Sequence, residues 1–197
     1  MHSLVIFAHP DPTSLTATSA QRIADRLRSA GNTVELADLS AEGFDPRHTR
    51  ADLELLQGVG PVPADVQREQ KRVERADSIV LVHPVYWWGM PGLLKGWLDR
   101  VLTFGWAFGG ESATALADRD VHLVAFGGNS PETYDAHGYR EAIRTNIEHG
   151  VFEFAGGPVA SSRIIHSAAD GITERVAEAI EAVTADMLNV RAPLPVE

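Results

Sequence analysis

Residues 83–92 read HPVYWWGMPG and carry three neighbouring aromatic side chains, Tyr86, Trp87 and Trp88. The apolar run before them, residues 78–82, is rich in β-branched residues and free of charge, which predicts a buried parallel strand. The run after them repeats at helical spacing, which predicts a helix. Flat aromatic surface between a strand and a helix can hold a planar ring; the alternative is that the tryptophans only fill the core.

A second loop, after the apolar run 4–8, has residues suited to binding an anion. Prolines break the run, and the helix that follows has Thr13 or Ser14 as its expected N-cap. Free amides at a helix N-terminus favour an anion, and His9 and Thr16 add further donors. The loop predicts a phosphate or pyrophosphate site, unless Ser14 merely caps the helix. Because the chain has neither a G-x-G-x-x-G nor a P-loop motif, such a site would be of another kind.

A third loop begins with Gly127 and Gly128, after the apolar run 121–126. Because they have no Cβ, these two residues let the backbone approach a planar ligand closely. One loop suited to a phosphate and two loops suited to a flat heterocycle together favour a flavin nucleotide site.

The elements that must position these loops alternate between strands and helices. Predicted strands lie at residues 4–8, 33–39, 78–82, 121–126 and 159–166. Predicted helices lie at residues 15–30, 65–76, 93–102, 139–149 and 172–189. The remaining segments are an irregular excursion at 40–64 with one helical turn near 51–56, loops at 104–110 and 134–138, and an end of the ordered chain at Pro193 and Pro195.

This alternation implies right-handed parallel crossovers and a three-layer α/β sandwich. For 197 residues we expect a single flavodoxin-like domain over residues 1–197, with a five-stranded parallel sheet in the order 2-1-3-4-5. The switch point of such a sheet lies between strands 1 and 3, which places the loops of His9 and Trp87 side by side.

Composition and the lack of certain motifs exclude several classes of function. The chain has no cysteine, which excludes disulfides and thiolate chemistry, and its net charge of −10 argues against a nucleic-acid partner. No signal peptide or transmembrane run is present, so we expect a cytoplasmic protein. The eight histidines lack metal-ligand spacing, so no metal is expected, and a G-x-S-x-G hydrolase motif is missing.

Two motifs carry a resemblance to a known family. His9-Pro10 followed by Ser14-Leu15, and the long segment HPVYWWGMPGLLKGWLDRV at residues 83–101, resemble the NAD(P)H:quinone oxidoreductase family. This flavodoxin-like group includes DT-diaphorase, the bacterial modulator-of-drug-activity proteins and the ancillary subunits of Kef potassium channels. The resemblance extends from strand 1 to about strand 5.

The resemblance implies FAD as cofactor, with FMN as the alternative, and NADH or NADPH as co-substrate. The residues it assigns to the cofactor are His9, Ser14, Leu15, Thr16, Pro84, Val85, Tyr86, Trp87, Trp88, Phe126, Gly127, Gly128 and Tyr134. It makes Tyr134 and His137 the catalytic candidates, because they match a tyrosine and a histidine that stabilise charge on the reduced flavin. The residues it assigns to the substrate are Trp87, Trp106, Phe108 and His137.

The resemblance also implies a homodimer with shared sites, because Trp106 and Phe108 would reach the partner subunit's pocket. The activity it implies is ping-pong, two-electron hydride transfer from NAD(P)H to a quinone or similar aromatic acceptor. The alternative is a flavin-binding electron carrier or a regulatory subunit of a Kef-type potassium efflux system, which the acidic composition would suit. Within the 83–92 loop we expect Val85 and Tyr86 to act through backbone and Trp87 to face the ligand, with Trp97 in the core.

Overall fold

A computed structural model describes residues 1–109, 115–167 and 171–189. The strands of this part of the chain are β1 (His2–Phe7), β2 (Thr33–Asp38), β3 (Ser78–Pro84), β4 (Asp120–Gly127) and β5 (Val159–His166). All neighbouring pairs are parallel, in the order β2-β1-β3-β4-β5. The predicted α/β class and strand order are confirmed.

Helices cover both faces of the sheet. They are α1 (Leu15–Ser29), α2 (Arg50–Leu56), α3 (Ala64–Arg75), α4 (Gly92–Val101), α5 (Pro131–Ala136), α6 (Tyr139–Ile143) and α7 (Ile172–Leu188), and α6 continues as a π-helical segment (Arg144–Glu153). Helices α1 and α7 pack on one face, while α3 and α4 pack together on the other. The three layers bury the central strands β1, β3 and β4 on both faces, which is why these strands are rich in apolar residues, whereas the edge strands β2 and β5 are partly exposed.

The excursion at 40–64 is more ordered than its sequence predicts. It contains the seven-residue helix α2, and Thr49 and Asp52 form a reciprocal capping box at its start. From α4, the buried Arg100 reaches the carboxylates of Asp52, at 3.1 Å, and Asp65, at 2.6 Å. A buried cation needs such partners, and this pairing across long sequence separation leaves no periodic signal.

Three other boundaries differ from the sequence prediction. Strand β3 continues through His83 to Pro84, because Pro84 stays in register with Phe126 of β4. Tyr134 lies in helix α5 and not in a loop, since Ser130 caps a short helix there. The predicted helix 139–149 instead widens into the π-helical segment after Ile143.

Trp97 is in the core as predicted, and its indole N–H donates to Oε2 of Glu69 over 2.9 Å. Gly110, Pro193 and Pro195 lie outside the described residues. Among the helices that are described, none is long and apolar enough to cross a membrane.

Candidate functional site

Three loops meet at the carboxyl edge of the sheet. They follow β1, β3 and β4, which are neighbours, with Phe7 beside Val82 and Pro84 beside Phe126. The helix after β1 lies on one face of the sheet and the helix after β3 on the other, so a crevice opens between the first two loops. In parallel sheets this switch point is where ligands bind.

The first loop presents hydrogen-bond donors beside the start of α1. Nδ1 of His9 lies 3.0 Å from the backbone nitrogen of Asp11 and 3.2 Å from its carbonyl oxygen, so this side of the imidazole is engaged within the loop. Ser14 is the N-cap, and its hydroxyl oxygen accepts from the amide of Ala17 over 3.2 Å. The amides of Leu15 and Thr16 precede the helical hydrogen-bond ladder, and the helix dipole adds partial positive charge there.

Asp11 carries the one carboxylate of this loop. Its Oδ1 accepts from the hydroxyl of Thr13 over 2.7 Å and from the amide of Thr13 over 2.8 Å. These bonds lower the pKa of Asp11, so the carboxylate is charged and engaged within the loop. The groups of this loop that are left to bind an anion are therefore those of His9 and the first turn of α1, and the phosphate site stays a prediction.

The second loop is a tight two-residue turn built from tryptophans. Tyr86 and Gly89 exchange both backbone hydrogen bonds at 3.0 Å, and between them Trp87 and Trp88 have φ of 48° and 61°. Turns of this kind favour asparagine and glycine, because a Cβ costs energy at positive φ. Such strain is typical of a functional loop and not of simple core packing.

The turn leaves specific backbone groups for a ligand. The amide of Val85 already donates to the carbonyl of Phe126 over 2.8 Å, and the amide of Tyr86 is used inside the turn. The amides of Trp87 and Trp88 make no hydrogen bond to the residues that the structure describes. The ring of Phe126 packs into the core between the sheet, α1 and α7, so this residue can contribute only its backbone.

The two tryptophans face different surroundings. The side chain of Trp87 is 96% exposed, whereas Trp88 is half-buried. Trp88 stacks on Tyr139 with ring centroids 3.5 Å apart and planes 13° apart, and meets the edge of Tyr134 at 5.4 Å. In this structure Trp88, and not Trp87, holds the position among the other aromatic rings.

The third loop and α5 bring Tyr134 to the same edge. Tyr134 is 1% exposed, and its ring meets His166, at the end of β5, edge-on at 4.7 Å. Burial raises the pKa of Tyr134, which keeps the hydroxyl protonated and able to donate, while the charge of Arg140 opposes the shift. Gly127 lies directly beneath the phenol oxygen.

His137 and Tyr139 complete the cluster. His137 is exposed and stacks on Tyr139 with ring centroids 5.2 Å apart, so the histidine lies outside the buried Tyr134. The sequence interpretation included His137 and missed Tyr139, which it left as the first residue of a helix. The available signal was Gly138, whose φ of 69° turns the chain so that both rings stack.

Trp106 and Phe108 lie elsewhere. The indole N–H of Trp106 donates to Glu74 of α3 over 2.8 Å. Phe108 packs between Phe104, at 5.9 Å, and Phe154, at 5.8 Å. The structure therefore places these two predicted substrate residues beside α3, α4 and the π-helical segment, apart from the other aromatic rings of the site.

The edge of the sheet fits a flavin nucleotide on two counts. The first turn of α1 and His9 offer N–H donors to a phosphate, without a carboxylate left unbonded in the loop. A Cβ added at Gly128 would meet nothing within 4 Å, so open space adjoins the backbone where the ring of a ligand would approach. Unused amides of the tryptophan turn lie on the neighbouring loop.

Comparison with known proteins supports the fold. A family model described as a flavodoxin-like fold matches residues 1–189. An uncharacterized NAD(P)H oxidoreductase of Haemophilus influenzae is 32% identical over 160 residues, 79% of each chain. The ribosyldihydronicotinamide dehydrogenase [quinone] of Rattus norvegicus is 31% identical over 183 residues, 82% of this chain and 79% of that protein.

Solved structures of two named proteins are also similar to this chain. An NAD(P)H:quinone oxidoreductase from Methanothermobacter marburgensis has a TM-score of 0.84 at 25% identity, with 98% of both chains covered. The general stress protein 14 of Treponema denticola, in complex with FMN, has a TM-score of 0.69 at 26% identity, covering 94% of this chain and 98% of that one.

Proposed function

The chain belongs to the flavodoxin-like fold family, and on that premise we propose that it is a flavin-dependent NAD(P)H oxidoreductase that reduces quinones or similar aromatic acceptors. The observation that carries the proposal is the meeting of an anion-binding helix start, the strained tryptophan turn and the Gly127-Gly128 loop at one switch point. The curated relatives named NAD(P)H oxidoreductase or dehydrogenase [quinone] support the reaction class.

The residues of the site would have separate roles in binding the flavin and in stabilising its charge. A bound flavin supplies the hydride chemistry, taking two electrons from NAD(P)H and giving them to the acceptor in turn. His9, Ser14 and the amides of Leu15 and Thr16 would hold its phosphate, while the segment from Pro84 to Trp88 would lie along the ring. Tyr134, kept protonated by burial, and His137 would donate hydrogen bonds to the carbonyl edge. Trp87 would close over the bound ring from its exposed position.

We propose FAD as the cofactor. A surface groove beside the first loop, lined in part by Phe7, Thr18 and Leu36, gives an adenylate room beyond a phosphate at α1. FMN, which the Treponema denticola neighbour binds, is the alternative. Mass spectrometry of the cofactor released from the purified protein decides between the two.

We also propose a homodimer with shared sites. Leu56, Phe104 and Phe154 are each more than half exposed around the half-buried Phe108, and apolar surface of this kind is typical of an interface. Trp106 and Phe108 lie on this face, away from the site of their own chain, so they would serve a partner's site. Light scattering of the eluting protein should give twice the chain mass. We also propose a location in the cytoplasm, because the proposed activity needs NAD(P)H, which is available there.

The test of the activity is direct. The purified protein should show flavin absorbance, lose it rapidly when NADH or NADPH is added without oxygen, and regain it when 2-methyl-1,4-naphthoquinone is added. A protein that stays colourless after reconstitution with FAD and with FMN would overturn the proposal. A flavoprotein that NAD(P)H reduces undetectably slowly would instead be the electron carrier or Kef-type regulatory subunit.

A further inference from the structure

Three aromatic rings form a column beside the buried Tyr134. Trp88 stacks on Tyr139 with ring centroids 3.5 Å apart, and His137 stacks on Tyr139 at 5.2 Å with planes 26° apart. Trp88 and His137 form no ring pair with each other, so they lie against opposite faces of Tyr139. Tyr139 meets Tyr134 edge-on at 6.1 Å. Tyr139 is therefore the middle of the column, and it links the tryptophan turn to helix α5.

The two ends of the column are held differently. Trp88 is half-buried, packs against the core and belongs to a turn fixed by two backbone hydrogen bonds. His137 is exposed, and no hydrogen bond to a described residue holds its side chain. Gly138 follows it at φ 69°, with open space around its Cα. The imidazole can thus leave the face of Tyr139 at little cost.

We propose that this outer face of Tyr139 is the stacking platform for the planar acceptor, and that His137 covers it when no acceptor is present. The inference rests on the proposed function and names the residue that selects the acceptor. A phenol is electron-rich and a quinone is electron-poor, so the pair stacks favourably face to face. The adjoining charges, Arg140 and Asp135, pair with each other at 3.0 Å and leave the platform without net charge.

A purely structural role for the three rings predicts a different result from a role in binding the acceptor. If the rings only stabilise the corner between α5 and α6, removing His137 weakens the structure and helps no ligand. If His137 covers a platform, removing it exposes the face and tightens binding. The two variants Tyr139→Leu and His137→Ala therefore shift acceptor affinity in opposite directions.

The experiment measures equilibrium binding of 2-methyl-1,4-naphthoquinone to the oxidised flavoprotein without NAD(P)H, by quenching of tryptophan fluorescence. Tyr139→Leu should weaken binding about tenfold, Tyr139→Phe should stay within about threefold, and His137→Ala should tighten binding about threefold, as expected for one aromatic pair. His149→Ala, another exposed histidine, is the matched control and should leave affinity unchanged. The saturated ketone 1-decalone, which cannot stack, should bind all variants equally.

Two further readouts separate this inference from the proposed function. In flavin-free protein labelled at histidine, the quinone should shift the ring resonances of His137 downfield as the imidazole leaves Tyr139, and Tyr139→Leu should abolish that change. In turnover, Tyr139→Leu should raise the KM for 2-methyl-1,4-naphthoquinone and not the KM for ferricyanide, which accepts electrons without stacking. Unchanged quinone affinity in Tyr139→Leu, or weaker affinity in His137→Ala, overturns the platform even if NAD(P)H reduces the flavin normally.

Discussion

The phenol oxygen of Tyr134 lies so close over Gly127 that a Cβ at residue 127 would come within 2.5 Å of it. Gly127 ends β4, and Tyr134 is the buried residue of α5, so this contact sets the distance between the strand end and the helix. The glycine is needed here for space, since its φ is not in the left-handed region.

Gly127→Ala should therefore push Tyr134 away from the sheet edge. We expect a loss of about 1–3 kcal/mol in the free energy of unfolding, as for an overpacked core position, and weaker flavin binding. Urea denaturation of the flavin-free protein and flavin titration measure the two effects. Gly128→Ala, whose Cβ would meet nothing within 4 Å, is the control and should cost less than about 0.5 kcal/mol. Adding Tyr134→Phe to Gly127→Ala should recover part of the loss; equal stability of both alanine variants would contradict the contact.

A substitution in the tryptophan turn should raise the free energy of unfolding, whereas Gly127→Ala lowers it. Trp87 has φ 48° and is 96% exposed, so Trp87→Asn removes little packing and places a residue that tolerates positive φ. The free energy of unfolding should rise by about 0.5–1 kcal/mol, while affinity for the bound flavin or acceptor falls. Chemical denaturation and flavin titration measure the two.

Val59→Asn is the matched control for this variant. Val59 is also largely exposed, but its φ is not positive, so its replacement relieves no backbone strain. Its stability should stay within about 0.5 kcal/mol of the wild type. If Trp87→Asn proved less stable than Val59→Asn, the strain would not be the reason for the turn's geometry.

The ion pairs of Arg100 with Asp52 and Asp65 should be essential for the ordered structure of residues 40–64. Arg100 is buried and joins Asp52, Asp65 and the carbonyl of Asp45. Asp52→Ala should cost about 3–5 kcal/mol in the free energy of unfolding, because it leaves a buried charge without a main partner. Arg47→Ala, in which a solvent-exposed pair with Asp45 is lost, should leave the free energy of unfolding almost unchanged. Comparable losses in the two variants would be evidence against a structural role for the cluster.

Stability should depend on pH through His83. Burial lowers the pKa of His83 to about 4 from its ordinary 6.5, although the bond to the Pro84 carbonyl opposes the shift. Between pH 6.5 and 4 the unfolded chain therefore binds a proton that the native protein does not, and stability falls as pH falls. The loss is about 1.4 kcal/mol per pH unit, on the order of 3 kcal/mol in total.

His83→Gln removes the titrating imidazole, so comparison with the wild type isolates the contribution of His83 to the pH dependence of stability. The unfolding free energy of the variant, measured by urea denaturation from pH 8 to pH 4, should fall less steeply than that of the wild type below pH 6.5. The other groups titrate in both proteins and cancel in the difference, including His122, whose pKa burial also lowers. Parallel curves for the two proteins would rule out a buried neutral His83.

The fold could be predicted because its signals are local. The central strands β1, β3 and β4 are apolar runs, each long helix has its own periodicity, and the crossover rule then leaves few topologies. Short elements could not be predicted in the same way. Helix α2 depends on Arg100, 48 residues away from Asp52, and α5 has one buried residue, so neither carries a period to detect.

The sequence by itself determined the α/β sheet order and the three loops at its carboxyl edge, because hydrophobic periodicity and turn residues act within short stretches of chain. Only the tertiary structure decided which rings meet there. It placed Trp88 on Tyr139, turned Trp87 to solvent and set Tyr134 over Gly127. The first contact joins loops that are far apart in sequence, the tryptophan turn depends on backbone angles that residue type alone would not favour, and the contact of Tyr134 depends on how helix α5 lies against the end of β4.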